Sequence, residues 1–451
     1  MKLPLAPPDA KKILENLSPD TMARLFLARP TALVNGEYLH WDQLRHRSPP
    51  DGFSIEHWWF GIKMARQGLL QSLPLLDKLG QPFVFGVPEP LLIHLHHIDQ
   101  DAAGHIRFES EVATPGNRDR YLLQSLVEEA ITSSQLEGAS TTRRVAEAML
   151  QEGRQPRDHS ERMIFNNFRT MQAIQGLRAQ AITPETVLSL HSLLTENTLH
   201  DSADAGRLRR SDDVRVVDNP DDTILHQPPS HTELPERLQR LCGFANADEN
   251  ARPFVHPVLR AILLHFMIGY DHPFADGNGR TARALFYWAM ARNGYWLTEF
   301  TSISHFLRKA PAQYVRAYLH TESDGGDTTY FLFHQLETMR KAITALHDYL
   351  ARKTQKQRST ELLLAASPEL RAELNHRQID ALTHALKYPG ASYRIDSHQR
   401  NYGVVYQTAR ADLLALAQLG LLDQIRCGRA FLFIAPADLE QRIADAAKRK
   451  A

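Results

Sequence analysis

The chain predicts a mainly α protein: a helical bundle carrying one isolated β-hairpin, followed by a helix-turn-helix with a two-stranded wing. Three observations predict it. Apolar residues recur at helical spacing through most of residues 119–350. Between Gly206 and Pro229 that pattern breaks into two short strand-like runs around Asp218-Asn219-Pro220-Asp221-Asp222. Beyond residue 375, short helices, a glycine turn near Gly403, a further helix and a pair of strands follow one another.

At 451 residues the chain has room for two or three domains. Its formal net charge is zero, so no global field draws it to nucleic acid or to a membrane surface. No apolar run is long enough to span a bilayer, and the proline-rich start is no secretory leader. The expectation is a soluble cytoplasmic protein. Cys242 and Cys427 lie far apart and form no metal or disulfide pattern. His94, His96 and His97 crowd one segment, but without a cysteine or spaced carboxylates they read as ordinary histidines rather than zinc ligands.

Residues 1–118 form an N-terminal region with weak signals: helices over 19–33, 54–73 and 88–97, and a short strand at Phe83-Val84-Phe85. The core spans 119–345. Its first helix, 119–137, is stopped by Gly138. Helices over 141–151 and 160–178 follow. Thr183-Pro184 then opens another, with a hydroxyl cap and proline at the first position. The hairpin at 213–226 comes next, then helices over 234–247, 257–270, 284–293, 302–309, 312–321 and 328–350. Residues 346–374 read as a helical linker with a basic tail, and 375–451 as the winged helix-turn-helix. Tyr406, Gln407, Thr408 and Arg410 would start its recognition helix.

The chemistry concentrates in His272-Pro273-Phe274-Ala275-Asp276-Gly277-Asn278-Gly279-Arg280-Thr281-Ala282-Arg283. Glycines let the backbone approach a phosphate closely. The following helix start offers free N–H groups and a positive dipole end. Arg280 and Arg283, three apart, share a face. His272 supplies a titratable base, and Asp276 supplies the single carboxylate that Mg²⁺ usually takes beside phosphate oxygens. The stretch reads as a phosphate cradle with a base at its mouth.

This run resembles the signature of the Fic family, His-Pro-Phe-x-x-Gly-Asn-Gly-Arg-x-x-Arg. His265 falls where Fic proteins often carry a histidine in the preceding helix. Gly206-Arg207, leading into the hairpin and Pro228-Pro229, resembles the Fic flap. Ser133-Ser134-Gln135-Leu136-Glu137-Gly138 resembles the family's inhibitory motif, Ser/Thr-x-x-x-Glu-Gly/Asn, placed N-terminal to the core as in the class II arrangement. The likeness covers residues 120–340 or so. It departs at Asp271, where many relatives carry isoleucine, and at Tyr314, a single tyrosine where many carry a pair. A carboxylate beside His272 favours its charged form, a worse base, unless it points away.

The resemblance implies a Fic-type helical bundle with a β-hairpin flap. It implies Mg²⁺-dependent transfer of AMP from ATP to a Ser, Thr or Tyr hydroxyl of a protein, the chain itself included. His272 would be the general base and Asp276 the Mg²⁺ ligand. Gly277, Asn278 and Gly279 would form the anion hole for the α- and β-phosphates. Arg280 would hold the β-phosphate and Arg283 the γ-phosphate, with Tyr314 at the adenine pocket. Glu137, in a motif with Ser133, would inhibit by pairing with Arg283. The hairpin would register the target through main-chain pairing. Alternatives stay open: transfer of another nucleotide, removal of AMP, or a winged-helix DNA-binding regulator whose Fic module senses nucleotide. The winged helix would equally serve protein docking, and self-association is left open. A toxin with a separate antitoxin fits poorly, because Glu137 is built in.

Overall fold

The computed structural model describes residues 3–103, 115–218, 223–365, 372–388, 390–427 and 430–448. The chain divides into two compact units: Met1–Ile106 with Leu123–Ile343, and Arg107–Leu122 with Thr344–Ala451.

The first unit opens with α1 (Ala10–Asn16), α2 (Pro19–Ala28), α3 (Trp41–Leu44) and α4 (Ile55–Gln67). Hydroxyls of Ser18 and Ser54 cap α2 and α4. Trp41, Leu44, Trp59 and Ile62 bury one another in a small core. The helix expected over 54–73 stops at Gln67, and Gln71–Leu76 is instead β1. It pairs antiparallel with β2 (Pro82–Phe85). Leu73 and Leu75 are buried while Ser72 and Pro74 are exposed, a period of two that the adjoining apolar helix masks in the sequence. Next come α5 (Glu89–Ile98), α6 (Pro115–Leu136), α7 (Arg143–Glu152), α8 (His159–Leu177) and α9 (Pro184–Thr195). After α6 the chain turns at Gly138 (φ 94°), and Ala139 N–H returns to Ser134 O at 3.0 Å.

The hairpin is β3 (Val216–Asp218) with β4 (Thr223–His226), and its tip at 219–222 lies outside the described residues. His226 ties the hairpin down: its ring meets Tyr270 O at 2.7 Å and Glu322 at 2.8 Å. Then follow α10 (Leu234–Ala245), α11 (Pro257–Asp271), α12 (Asn278–Arg292), α13 (Ile303–Lys309), α14 (Pro311–Ser323) and α15 (Thr329–Ala365). From Val258 to Asp271, every residue of α11 but Gly269 is buried, so α11 is the core helix. The helix after the loop begins at Asn278, not at 284 as expected. Asn-Gly favours turns, but Gly277 takes the left-handed N-cap (φ 82°), and Thr281 N–H reaches Gly277 O at 2.9 Å. Arg280 and Arg283 therefore stand on the first turn and at the start of the second.

In the second unit, the part of α15 beyond Ile343 is followed by α16 (His376–Lys387), β5 (Ser392–Tyr393), α17 (Ile395–Tyr402) and α18 (Tyr406–Gln418). The strands β6 (Asp423–Cys427) and β7 (Ala430–Ile434) complete a sheet ordered β5-β7-β6. The β6–β7 tip at 428–429 lies outside the described residues. Buried Asp412 on α18 accepts hydrogen bonds from Arg377 (2.6 and 3.0 Å) and Asn375 (2.7 Å), fixing α18 against the start of α16. A last helix, α19 (Leu439–Lys448), closes the apolar core through Leu439 and Ile443. It lies past the stretch whose elements the sequence marked. Among the described residues no helix is long and apolar enough to cross a membrane.

Candidate active site

α11 is capped at its C-terminal end by His272, which takes a left-handed conformation (φ 46°) that non-glycine residues rarely adopt. Its N–H reaches Ile268 O at 3.1 Å, and Pro273 prevents the helix from continuing. The His272 ring places Nδ1 3.1 Å from Gly269 O. A carbonyl only accepts, so Nδ1 carries the proton and Nε2 keeps its lone pair. Burial lowers the His272 pKa below the ordinary imidazole value, with the Gly269 carbonyl opposing. The ring is a neutral base at neutral pH.

Asp271 does not charge it. Its carboxylate turns to α10, where Arg237 Nε and Nη2 donate to Oδ1 at 2.9 and 2.7 Å. Burial raises Asp271 to about 6, with Arg237 opposing. Arg237→Ala would leave a buried carboxylate unpaired. It is expected to cost about 3–5 kcal/mol in chemical denaturation, and Asp271→Asn in the same chain should recover part of the loss.

The loop is braced from three sides. Phe274 is fully buried and stacks on His191, ring centroids 3.7 Å apart. Asn278 Oδ1 accepts Phe274 N–H, and its Nδ2 donates to Phe274 O, both at 2.9 Å. The Asn278 side chain thus holds the loop closed. His191 accepts Gly206 N–H at Nδ1 (3.0 Å) and donates from Nε2 to Asp276 O (2.9 Å), joining the loop to the turn before the hairpin. Arg209 is buried; it donates to His272 O at 3.0 Å, to Asp212 at 2.8 Å and to Pro229 O. No motif marks His191, Arg209 or Arg237. They are lone polar residues on other elements, and only the fold brings them to the loop.

Gly277 is required twice. Its φ of 82° suits glycine, and a Cβ there would stand 2.8 Å from Thr195 Cγ2. Gly277→Ala is expected to lose at least about 1–2 kcal/mol from backbone strain alone. Denaturation midpoints and ATP titration should both register it.

Both arginines are buried, each 1% exposed. Arg280 donates to Leu194 O at 3.3 Å and lies 3.6 Å from Asp276 Oδ2. Asp276 is otherwise exposed at the rim, its Oδ1 accepting Gly277 N–H at 2.6 Å. Arg283 is held from α6: Nε donates to Ser133 Oγ at 2.8 Å, and Nη2 donates to Ser133 O at 3.0 Å and to Glu137 Oε1 at 2.8 Å. Burial opposes the Arg283 charge, but Glu137 and Glu129 overcome this and hold its pKa above the ordinary value. The Glu137 carboxylate also lies on Gly279, with Oε1 2.1 Å from where a Cβ would stand. Arg280 Nε and Arg283 Nη1 are buried without a hydrogen-bond partner among the described residues. With the first-turn N–H groups of 278–280, they are the groups that would cradle an anion. Tyr314 sits behind it, its hydroxyl 2.7 Å from His265 Nε2. Among the described residues no three His, Cys, Asp or Glu side chains cluster as a metal site.

A mainly helical core with a hairpin beside the start of α12 is the setting in which the chain is compared with known proteins. Residues 181–290 match the Fic/DOC family model. The chain is 25% identical over 298 residues to the protein adenylyltransferase Fic of Drosophila grimshawi, covering 62% of this chain and 59% of that protein. It is 39% identical over 70 residues to the protein of the same name from Culex quinquefasciatus, covering 16% of this chain and 14% of that one. The chain therefore spans less than two thirds of these relatives. A solved Fic family protein from Desulfovibrio desulfuricans G20 shares the fold at a TM-score of 0.50 and 18% identity, covering 78% of this chain and 97% of its own.

Proposed function

We propose that the chain transfers AMP from ATP to a hydroxyl of a protein, itself included, and that Glu137 restrains the reaction by occupying Arg283. One observation carries the reading. A neutral base, first-turn main-chain N–H groups and two buried arginines converge on the start of α12. The naming of its relatives as protein adenylyltransferases supports it.

The hydroxyl oxygen bonds to the α-phosphorus, the bond from that phosphorus to the bridging oxygen breaks, and pyrophosphate leaves. The hydroxyl proton passes to His272 Nε2. The N–H groups of Asn278, Gly279 and Arg280 stabilise the charge growing on the α- and β-phosphates, whereas the Gly277 N–H, expected in this role, is taken by Asp276 Oδ1 at 2.6 Å. Arg280 grips the β-phosphate and Arg283 the γ-phosphate. Asp276 is an exposed hard-oxygen ligand suited to Mg²⁺, which neutralises phosphate charge when bound. Tyr314, its hydroxyl already tied to His265, offers an adenine its ring. The β3–β4 hairpin, with exposed Val217 and Ile224, is the surface for an extended target segment. ATP labelled at the α-phosphate should mark protein and ATP labelled at the γ-phosphate should not. Label only from the γ position would mean phosphorylation and end this reading.

The second unit supports a second role. Its helix and strand order supports a winged helix-turn-helix reading, with Tyr406, Gln407 and Arg410 exposed at the start of α18. Duplex DNA should then bind in a mobility shift that weakens steeply with salt. No shift at low salt would leave protein docking.

A further inference from the structure

We infer that Glu129 is a second anchor of the inhibitory helix, a positioning residue that keeps Glu137 on Arg283. This rests on the autoinhibition proposed above. Glu129 and Ser133 on α6, and Glu137 directly after its end, recur every four residues and form one stripe. Arg283 and Tyr287, also four apart, form the answering stripe on α12. Arg283 meets Ser133 and Glu137, whereas Tyr287 donates to Glu129 Oε2 at 2.9 Å.

Glu129 is 2% exposed. It also accepts Ser302 Oγ at 2.7 Å, Ser304 N–H at 3.3 Å and Ser304 Oγ. Beside it, Thr132 Oγ1 stands 3.1 Å from Ser302 Oγ, and Glu128 pairs with His305 at 3.0 Å. Among the described residues each hydrogen-bond partner of Glu129 can donate, which suits an ionised carboxylate. Burial raises its pKa, while Ser304, Ser302, Arg283 and Tyr287 oppose that rise. None of these contacts involves the last turn of α6. Glu137 therefore extends from a docked helix, and the docking holds its carboxylate in reach of Arg283. Without the Glu129 anchor α6 is free to shift, and the pair with Arg283 weakens.

The test measures AMP transfer by wild type, Glu129→Gln, Tyr287→Phe, Glu137→Gly and the Glu129→Gln/Glu137→Gly double variant. Glutamine keeps the size of Glu129 but turns an amide donor toward hydroxyl and N–H donors. Glu129→Gln is expected to raise kcat/KM about fivefold or more, with a smaller rise for Tyr287→Phe. Glu129→Gln should add nothing once Glu137 is gone. If Glu137→Gly raises the rate while Glu129→Gln and Tyr287→Phe lower it or leave it alone, Glu129 is only structural and the inference is overturned. If Glu137→Gly itself gives no rise, the autoinhibition reading fails first. Should Glu129→Gln not fold, Tyr287→Phe and Ser302→Ala decide the matter.

Discussion

Glu137→Gly is expected to raise AMP transfer about 5- to 150-fold, the range of a typical coupling free energy of 1–3 kcal/mol. The glutamate does two things at once. It satisfies Arg283 at 2.8 Å, and it lays its carboxylate on Gly279, within the cradle. A phosphate bound there would lose its arginine and meet a negative charge. The substitution costs the helix little, because α6 already ends at Leu136. It does remove the carboxylate partner of a buried guanidinium and leave its hydrogen bonds to Ser133. The variant should therefore unfold more easily than wild type without ATP, and gain more stability than wild type when ATP is added. Thermal melts with and without ATP check this directly.

His272→Ala is expected to lower transfer about 10²–10⁴-fold, the usual contribution of a general base. Folding should be nearly unaffected, since Arg209 holds the backbone of 272 through its carbonyl. The pH dependence carries a sign. Burial lowers the His272 pKa, so the neutral base persists below the ordinary value of 6.5. Transfer should hold as pH falls from 8 to that value and decline only below it. A lowered pKa also means that the unfolded chain binds this proton more readily. The contribution of His272 to stability is thus constant above 6.5 and falls as pH drops below it. In His272→Ala the acidic decline of the rate should disappear.

Much of this site could be read from the chain because its chemistry is contiguous. A base, a carboxylate, glycines and two arginines in twelve residues need no tertiary information. The helical bundle was legible for a similar reason, since period and caps are local. What escaped depends on partners far apart in sequence. Nothing near Asp271 reveals that Arg237, 34 residues earlier, takes its charge. His191 looks like one polar residue on an amphipathic helix until it is seen stacked on Phe274 with both nitrogens engaged. The start of α12 was set six residues late because Asn278-Gly279 has turn propensity and the φ of Gly277 is not written in its neighbours. β1 was absorbed into the helix before it because the apolar residues run on across the change of period.

The central claim is that a complete transfer site is held off by one carboxylate. Intact-mass measurement after incubation with ATP and Mg²⁺ tests it most directly, with wild type, Glu137→Gly and Glu137→Gly/His272→Ala side by side. The account predicts added AMP on the Glu137→Gly chain, little on wild type and none on the double variant. Equal modification of all three chains, or none on any of them nor on an added protein target, would contradict it.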